Sequence, residues 1–168
     1  MLMDDDCFLP GFNRQISDIT LRAKLNISDR EREILFNGKE RPRDDEDVNY
    51  ITLPLGKELT FNFDTDTKID TLRIKTDQDF DRDRVSKFRV TKRYAQKIHQ
   101  GLDFEPVNMS PTIVKSIDIY ADDQKYEIRD NYHSLIKLPI NKTVRSIKVI
   151  FNETYGDDFV KLYSCDFI

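Results

Sequence analysis

The 168-residue chain has no tryptophan and is poor in cysteine, histidine and glycine, with two, two and five residues respectively. Each shortage excludes chemistry. His99 and His133 cannot join the distant Cys7 and Cys165 in a zinc set of any usual spacing. Five scattered glycines build no phosphate or dinucleotide loop. No G-x-S-x-G elbow occurs, and neither cysteine stands in a turn context that would mark an activated nucleophile. No run approaches the roughly 18 apolar residues of a spanning helix, so no membrane partner is expected. The opening Met1–Asp6 is acidic, and no signal peptide is visible. Basic residues number 27 against 31 acidic ones, a formal charge of -4, which argues against a duplex-binding face.

What the chain does contain is short runs of β-branched and aromatic residues with a period of two, the signature of half-buried strands. Ile19, Leu21, Ala23 and Leu25 alternate with polar neighbours. Ser28-Asp29-Arg30-Glu31 has the form of a capping box opening one helical turn. Tyr50–Leu53 reads as a short strand ended by Pro54. Leu59, Phe61 and Phe63 form a second strand, joined by a turn around Asp64–Lys68 to a third carrying Ile69, Leu72 and Ile74. Ile113–Ala121 and Tyr126–Ile128 form a hairpin about Asp122-Asp123. Leu135–Leu138 leads into Pro139, Ile147, Val149 and Phe151 follow, and the last strand places Phe159, Tyr163, Cys165 and Phe167 on one side. Eight or nine short strands with little helix predict an all-β, two-sheet sandwich over residues 15–168, with residues 1–14 as a strap.

Three features carry candidate chemistry. Asp77, Asp79 and Asp81 alternate in a loop, an oxygen-rich arrangement of the kind calcium takes, although the spacing is not that of a helix-loop-helix site. A basic stretch from Lys87 to Lys97 interrupts the strands and reads as an insertion crossing one edge, with nucleic-acid binding disfavoured by the acids beside it. Loops at the ends of a sandwich present side chains without disturbing its core. There Arg41, Asn49, Tyr50, Asn131, Tyr132 and Tyr155 are the candidate ligand-binding residues, since tyrosine offers a sugar ring a flat apolar face and one hydroxyl.

Several turn segments, in order, resemble the C-terminal discoidin-like, galactose-binding-like jelly roll of a bacterial family of FAD-dependent oxidoreductases. They are Asp5-Asp6-Cys7-Phe8-Leu9-Pro10-Gly11, Asn37-Gly38-Lys39-Glu40-Arg41-Pro42 with Asp44-Asp45-Glu46 and Asn49-Tyr50, Met109-Ser110-Pro111-Thr112-Ile113-Val114-Lys115, Asn131-Tyr132-His133, and Thr154-Tyr155-Gly156. The resemblance implies a non-catalytic accessory domain that packs against an attached flavoprotein core, with FAD held in that other domain and no cofactor in this chain. It implies, as the alternative, a carbohydrate-binding module that recognises a glycan through loops at one end. Such sandwiches often hold a structural calcium with an acidic residue early in the last strand. Ser164 stands at the matching position here, a departure from that pattern.

Overall fold

The structure is a computed structural model that describes residues 14–40, 49–77 and 110–168. Among these residues the chain is mainly antiparallel β. Two short helices, α1 (Asp18–Arg22) and α2 (Asp29–Leu35), flank the two-residue β1 (Lys24–Leu25). Strands β2 (Ile51–Pro54), β3 (Glu58–Thr76), β4 (Val114–Ala121), β5 (Gln124–Ile128), β6 (Leu135–Thr154) and β7 (Phe159–Phe167) follow. They form one hydrogen-bonded sheet in the order β2-β7-β3-β6-β4-β5, with β1 added beside β3.

The long strands organise everything else. β3 and β6 run antiparallel for almost their whole lengths, with register shifts between Asn62 and Thr67 and between Ile69 and Thr71. The expected turn at Asp64–Lys68 is therefore a bulge within a single strand, and Pro139 likewise lies inside β6. A bulge bends its strand and increases the local twist. Phe167 pairs in register with Leu72 in the second half of β3. Its ring also meets Phe61, in the first half, at a centroid distance of 5.0 Å and 83°. On a straight strand the eleven steps from Phe61 to Leu72 would span about 36 Å. The sheet therefore bends at the bulge, and one continuous core includes Leu59, Phe61, Ile69, Leu72, Ile117, Ile147, Leu162 and Phe167.

Other expectations change for local reasons. Ile19–Leu25 forms α1 and then β1, because Ser17 caps the helix by accepting from the Thr20 amide at 3.3 Å. Ser17 and Thr20 also bond the backbone of Phe167 at 2.6 and 2.8 Å, which pins α1 to the end of β7. The Ser28 capping box is present, and its helix continues through Leu35, whose side chain is fully buried. The β4–β5 hairpin turns at Asp122, which has φ 48° and caps the backbone amides of Arg145 and Ser146 with its carboxylate. In β7 a register shift opposite Lys75 and Thr76 moves the apolar phase. Val160, Leu162, Cys165 and Phe167 enter the core, whereas Phe159 is exposed. Cys165 is a buried free thiol, and Cys7 lies outside the described residues.

Candidate functional site

Strand polarity decides which loops gather. The C-terminal end of β3, the N-terminal ends of β4 and β6 and the C-terminal end of β5 lie at one end of the folded sheet, opposite the bend. Backbone bonds join their loops. The Thr76 amide donates to the Ser134 carbonyl at 2.8 Å, Asp77 to Lys161 at 3.0 Å, Asn131 to Lys115 at 2.9 Å, and Tyr155 to Ile113 at 3.1 Å.

The predicted residues divide between two neighbouring places at this end. Tyr132, on the loop between β5 and β6, is 60% exposed and lies beside the exposed His133 ring at 4.3 Å. Asn131 anchors that loop: its side-chain amide donates to the carbonyls of Val114 at 2.7 Å and His133 at 2.8 Å. Tyr155 approaches the same end from β6, beside Lys115, which pairs with Glu153 at 3.1 Å. The bond to Glu153, with Asp130 and Tyr155 adding to it, holds the Lys115 ammonium above its usual range.

The second place is the outer face of β2, β7 and β3. Asn49 is buried and receives the Asn37 side-chain amide at 3.4 Å. Tyr50 follows it, half-buried, with its ring against Tyr163 at 5.5 Å and under the Lys161 ammonium at 5.4 Å. Lys161 in turn pairs with Asp77 at 3.7 Å. The two places meet through β3. Asp77 pairs with Lys161, which lies over the Tyr50 ring, Thr76 bonds Ser134, and the Lys75 ammonium donates to the Ser134 hydroxyl at 3.0 Å, one residue from His133. A strip of pairings and chain neighbours therefore links Tyr50, Lys161, the buried Asp77 with Thr76, Ser134, His133 and Tyr132.

Arg41, Asp79 and Asp81 lie outside the described residues, as does the basic stretch Lys87–Lys97. Asp77, the described member of the acidic triplet, directs its carboxylate at Lys161. No group of three or more His, Cys, Asp or Glu side chains that could hold a metal ion is present among the described residues. Lys161, Tyr163, His133 and Ser134 were not anticipated from the sequence. They become visible only through the pairing of β7 with β3 and the junction of Thr76 with Ser134.

Inward of this strip, the same outer face carries a set of buried charges. Arg73 of β3 is fully buried and forks onto Glu40, Nη1 to Oε1 at 2.5 Å and Nη2 to Oε2 at 2.7 Å. Arg14 donates to Glu40 at 3.0 Å and forms an ion pair with Asp166 at 2.6 Å. Ser164 accepts from Arg73 at 3.0 Å and donates to Glu40 at 3.1 Å. Burial alone would raise the Glu40 carboxyl, but Arg73 and Arg14 outweigh it and hold the group below the usual carboxylate range. Burial dominates at Asp166 and pushes its carboxyl up despite the same two guanidiniums.

No protein-family model matches the chain. No curated protein sequence matches it either, so the resemblance to FAD-dependent oxidoreductases has no support from sequence comparison. Likeness is found among solved structures. The family 32 carbohydrate-binding module of Streptococcus pneumoniae EndoD aligns at TM-score 0.49 and 13% identity, over 81% of this chain and 83% of that one. A carbohydrate-binding module, CBM32-1, from a family 31 glycoside hydrolase of Clostridium perfringens aligns at 0.48 and 13%, over 89% and 95%. A two-domain protein of unknown function from Bacteroides fragilis aligns at 0.49 and 12%, over 92% and 42%. At such identities the functional reading rests on this chain's own residues.

Proposed function

We propose that this chain is a non-catalytic, galactose-binding-like jelly-roll module that binds a glycan along the strip from Tyr50 to Tyr132. The observation that carries the reading is the display of Tyr132. Its ring is largely in solvent, yet the loop beneath it is fixed by both side-chain bonds of Asn131 and by the Thr76–Ser134 backbone bond. A rigid exposed aromatic loses little conformational freedom when a ligand docks. It gives a sugar ring an apolar face, while Ser134 and Lys161 supply hydroxyl and ammonium partners for sugar hydroxyls and the buried Asp77 holds Lys161 in place.

The accessory role beside a flavoprotein core calls for an apolar docking face near Cys7–Phe12, which lies outside the described residues. The strip supports the glycan reading instead, because its polar groups converge between aromatic ends. A glycan array and a polysaccharide retention assay on the whole protein test it. A specific hit is expected, weakened about two- to twelvefold by Tyr132→Ala, the equivalent of losing roughly 0.5–1.5 kcal/mol of ring contact. Thermal stability should be unchanged by this exposed substitution. Absence of any hit across neutral and acidic glycans, or a hit unaffected by substitution of both Tyr132 and Tyr50, would overturn the reading.

A further inference from the structure

The sheet path ends at β5, and among the described residues no strand pairs with the outer side of that strand. The register shows which backbone groups face this open side. The Asp122 amide donates to the Ser146 carbonyl of β6 at 3.1 Å. Successive residues of an antiparallel strand bond to opposite sides, so Tyr120 and Asp118 also face β6, while Ala121, Ile119 and Ile117 face β5. Their register partners Gln124, Tyr126 and Ile128 therefore bond β4, and the N–H and C=O groups of Lys125 and Glu127 point out of the sheet edge. Tyr126 and Ile128 pack against the core, which puts the Lys125 and Glu127 side chains on the opposite, exposed face. There Lys125 pairs with Asp118 at 3.2 Å and Glu127 with Arg129 at 3.1 Å.

We propose that β5 pairs antiparallel with β5 of a second copy of this chain, about a two-fold axis at Tyr126. In that register Lys125 of each copy stands opposite Glu127 of the other, and Asp123 stands opposite Arg129. Lys125 and Glu127 are the residues whose backbone groups face outward, so each such couple exchanges both of its N–H···O bonds. A lysine on a sheet edge ordinarily repels a second strand, but an acid directly opposite turns the same charge into an attraction. The order of charges also fixes the register. A slide of two residues is the smallest that keeps outward groups opposed, and it sets Lys125 against Lys125 or Glu127 against Glu127. Like charges directly opposite are destabilising, so the edge is complementary to itself in one alignment. So few outward groups make a weak, concentration-dependent dimer rather than an obligate one.

The pairing does not rest on glycan binding and is tested without a ligand. Sedimentation equilibrium of the whole protein from about 10 μM to about 1 mM should show the mass rising from monomer toward dimer. Lys125→Glu and Glu127→Lys each set like charges opposite one another at both couples, and each should weaken association about tenfold or more. An equimolar mixture of the two variants places the acids of one chain against the lysines of the other, and should restore association as a mixed dimer. Hydrogen exchange on the wild type gives a reading that needs no variant to fold. The Lys125 and Glu127 amides should exchange severalfold more slowly at the high end of the concentration range, with Tyr126 and Ile128 unchanged. A monomer at every concentration, edge amides indifferent to concentration, a dimer that survives either reversal, or a mixture that associates no better than its components would overturn the pairing.

Discussion

If β3 bends at its bulge, Phe61 and Phe167 must share energy, and a double-mutant cycle can measure how much. Both rings are fully buried, meet edge to face at 5.0 Å, and belong to opposite halves of the folded sheet. Phe63 adds a second edge contact to Phe167 at 5.4 Å. Substituting leucine keeps each position apolar and removes the ring edge, so Phe61→Leu and Phe167→Leu should each cost about 1–3 kcal/mol without unfolding the protein. Paired buried rings in this geometry are worth roughly 0.5–1.5 kcal/mol beyond their buried area. The double variant should therefore be less destabilised than the sum of the singles by about that amount. Urea unfolding at constant slope supplies the four free energies. Were β3 straight, the residues would lie tens of ångströms apart and the cycle would close to zero within about 0.3–0.5 kcal/mol. An additive result would refute the bend in the sheet, whatever the size of the single losses.

Gly38→Ala places a Cβ against the Arg14 carbonyl in a left-handed backbone, and should cost about 1–3 kcal/mol in a chemical melt; a neutral result would show that the close approach of Arg14 and Gly38 does not persist in solution. Glu40→Gln tests the buried fork through its pH dependence. Because Glu40 is held below its unfolded value, its contribution is fully present above about pH 4.3 and is lost as pH falls through the lower folded value. The gap in stability between the wild type and Glu40→Gln should thus be wide at pH 7 and narrow progressively below about pH 4. A gap that is constant with pH would mean that the Glu40 charge contributes nothing to the fold.

In the first half of β3 and in β4 the faces that reach the core were legible from alternation alone. Leu59, Phe61 and Phe63, and Ile117, Ile119 and Ala121, all point inward as the period of two requires. The number of strands was not legible, because a turn and a bulge interrupt alternation in the same way. Asp64-Thr65-Asp66 carries turn-forming residues, and only the continued pairing of Thr67, Lys68 and Ile69 with Val144, Thr143 and Lys142 shows that the strand goes on. The opposite face misled for a related reason. Arg73, Lys75 and Asp166 alternate with apolar residues as solvent-facing groups do, yet Arg73 and Asp166 are buried against Arg14 and Glu40, far away in sequence, and Lys75 is buried beside Ser134.

The site itself was half legible, and the two Asn-Tyr pairs explain why. In both Asn49-Tyr50 and Asn131-Tyr132 the asparagine is the anchor. Asn49 is buried against Asn37, and Asn131 spends its side-chain amide on two backbone carbonyls. In both pairs the tyrosine is what the anchor presents, Tyr50 half-buried under Lys161 and Tyr132 open to solvent. An asparagine that satisfies a loop's own backbone lets the next residue stand out without strain. The dipeptide therefore marked both loops while hiding the division of labour within each pair. The groups that join the pairs into one strip, Lys161, Asp77 and Ser134, sit on three separate strand ends. Only the register of β7 on β3 and of β3 on β6 brings them together, so no local motif could have announced them.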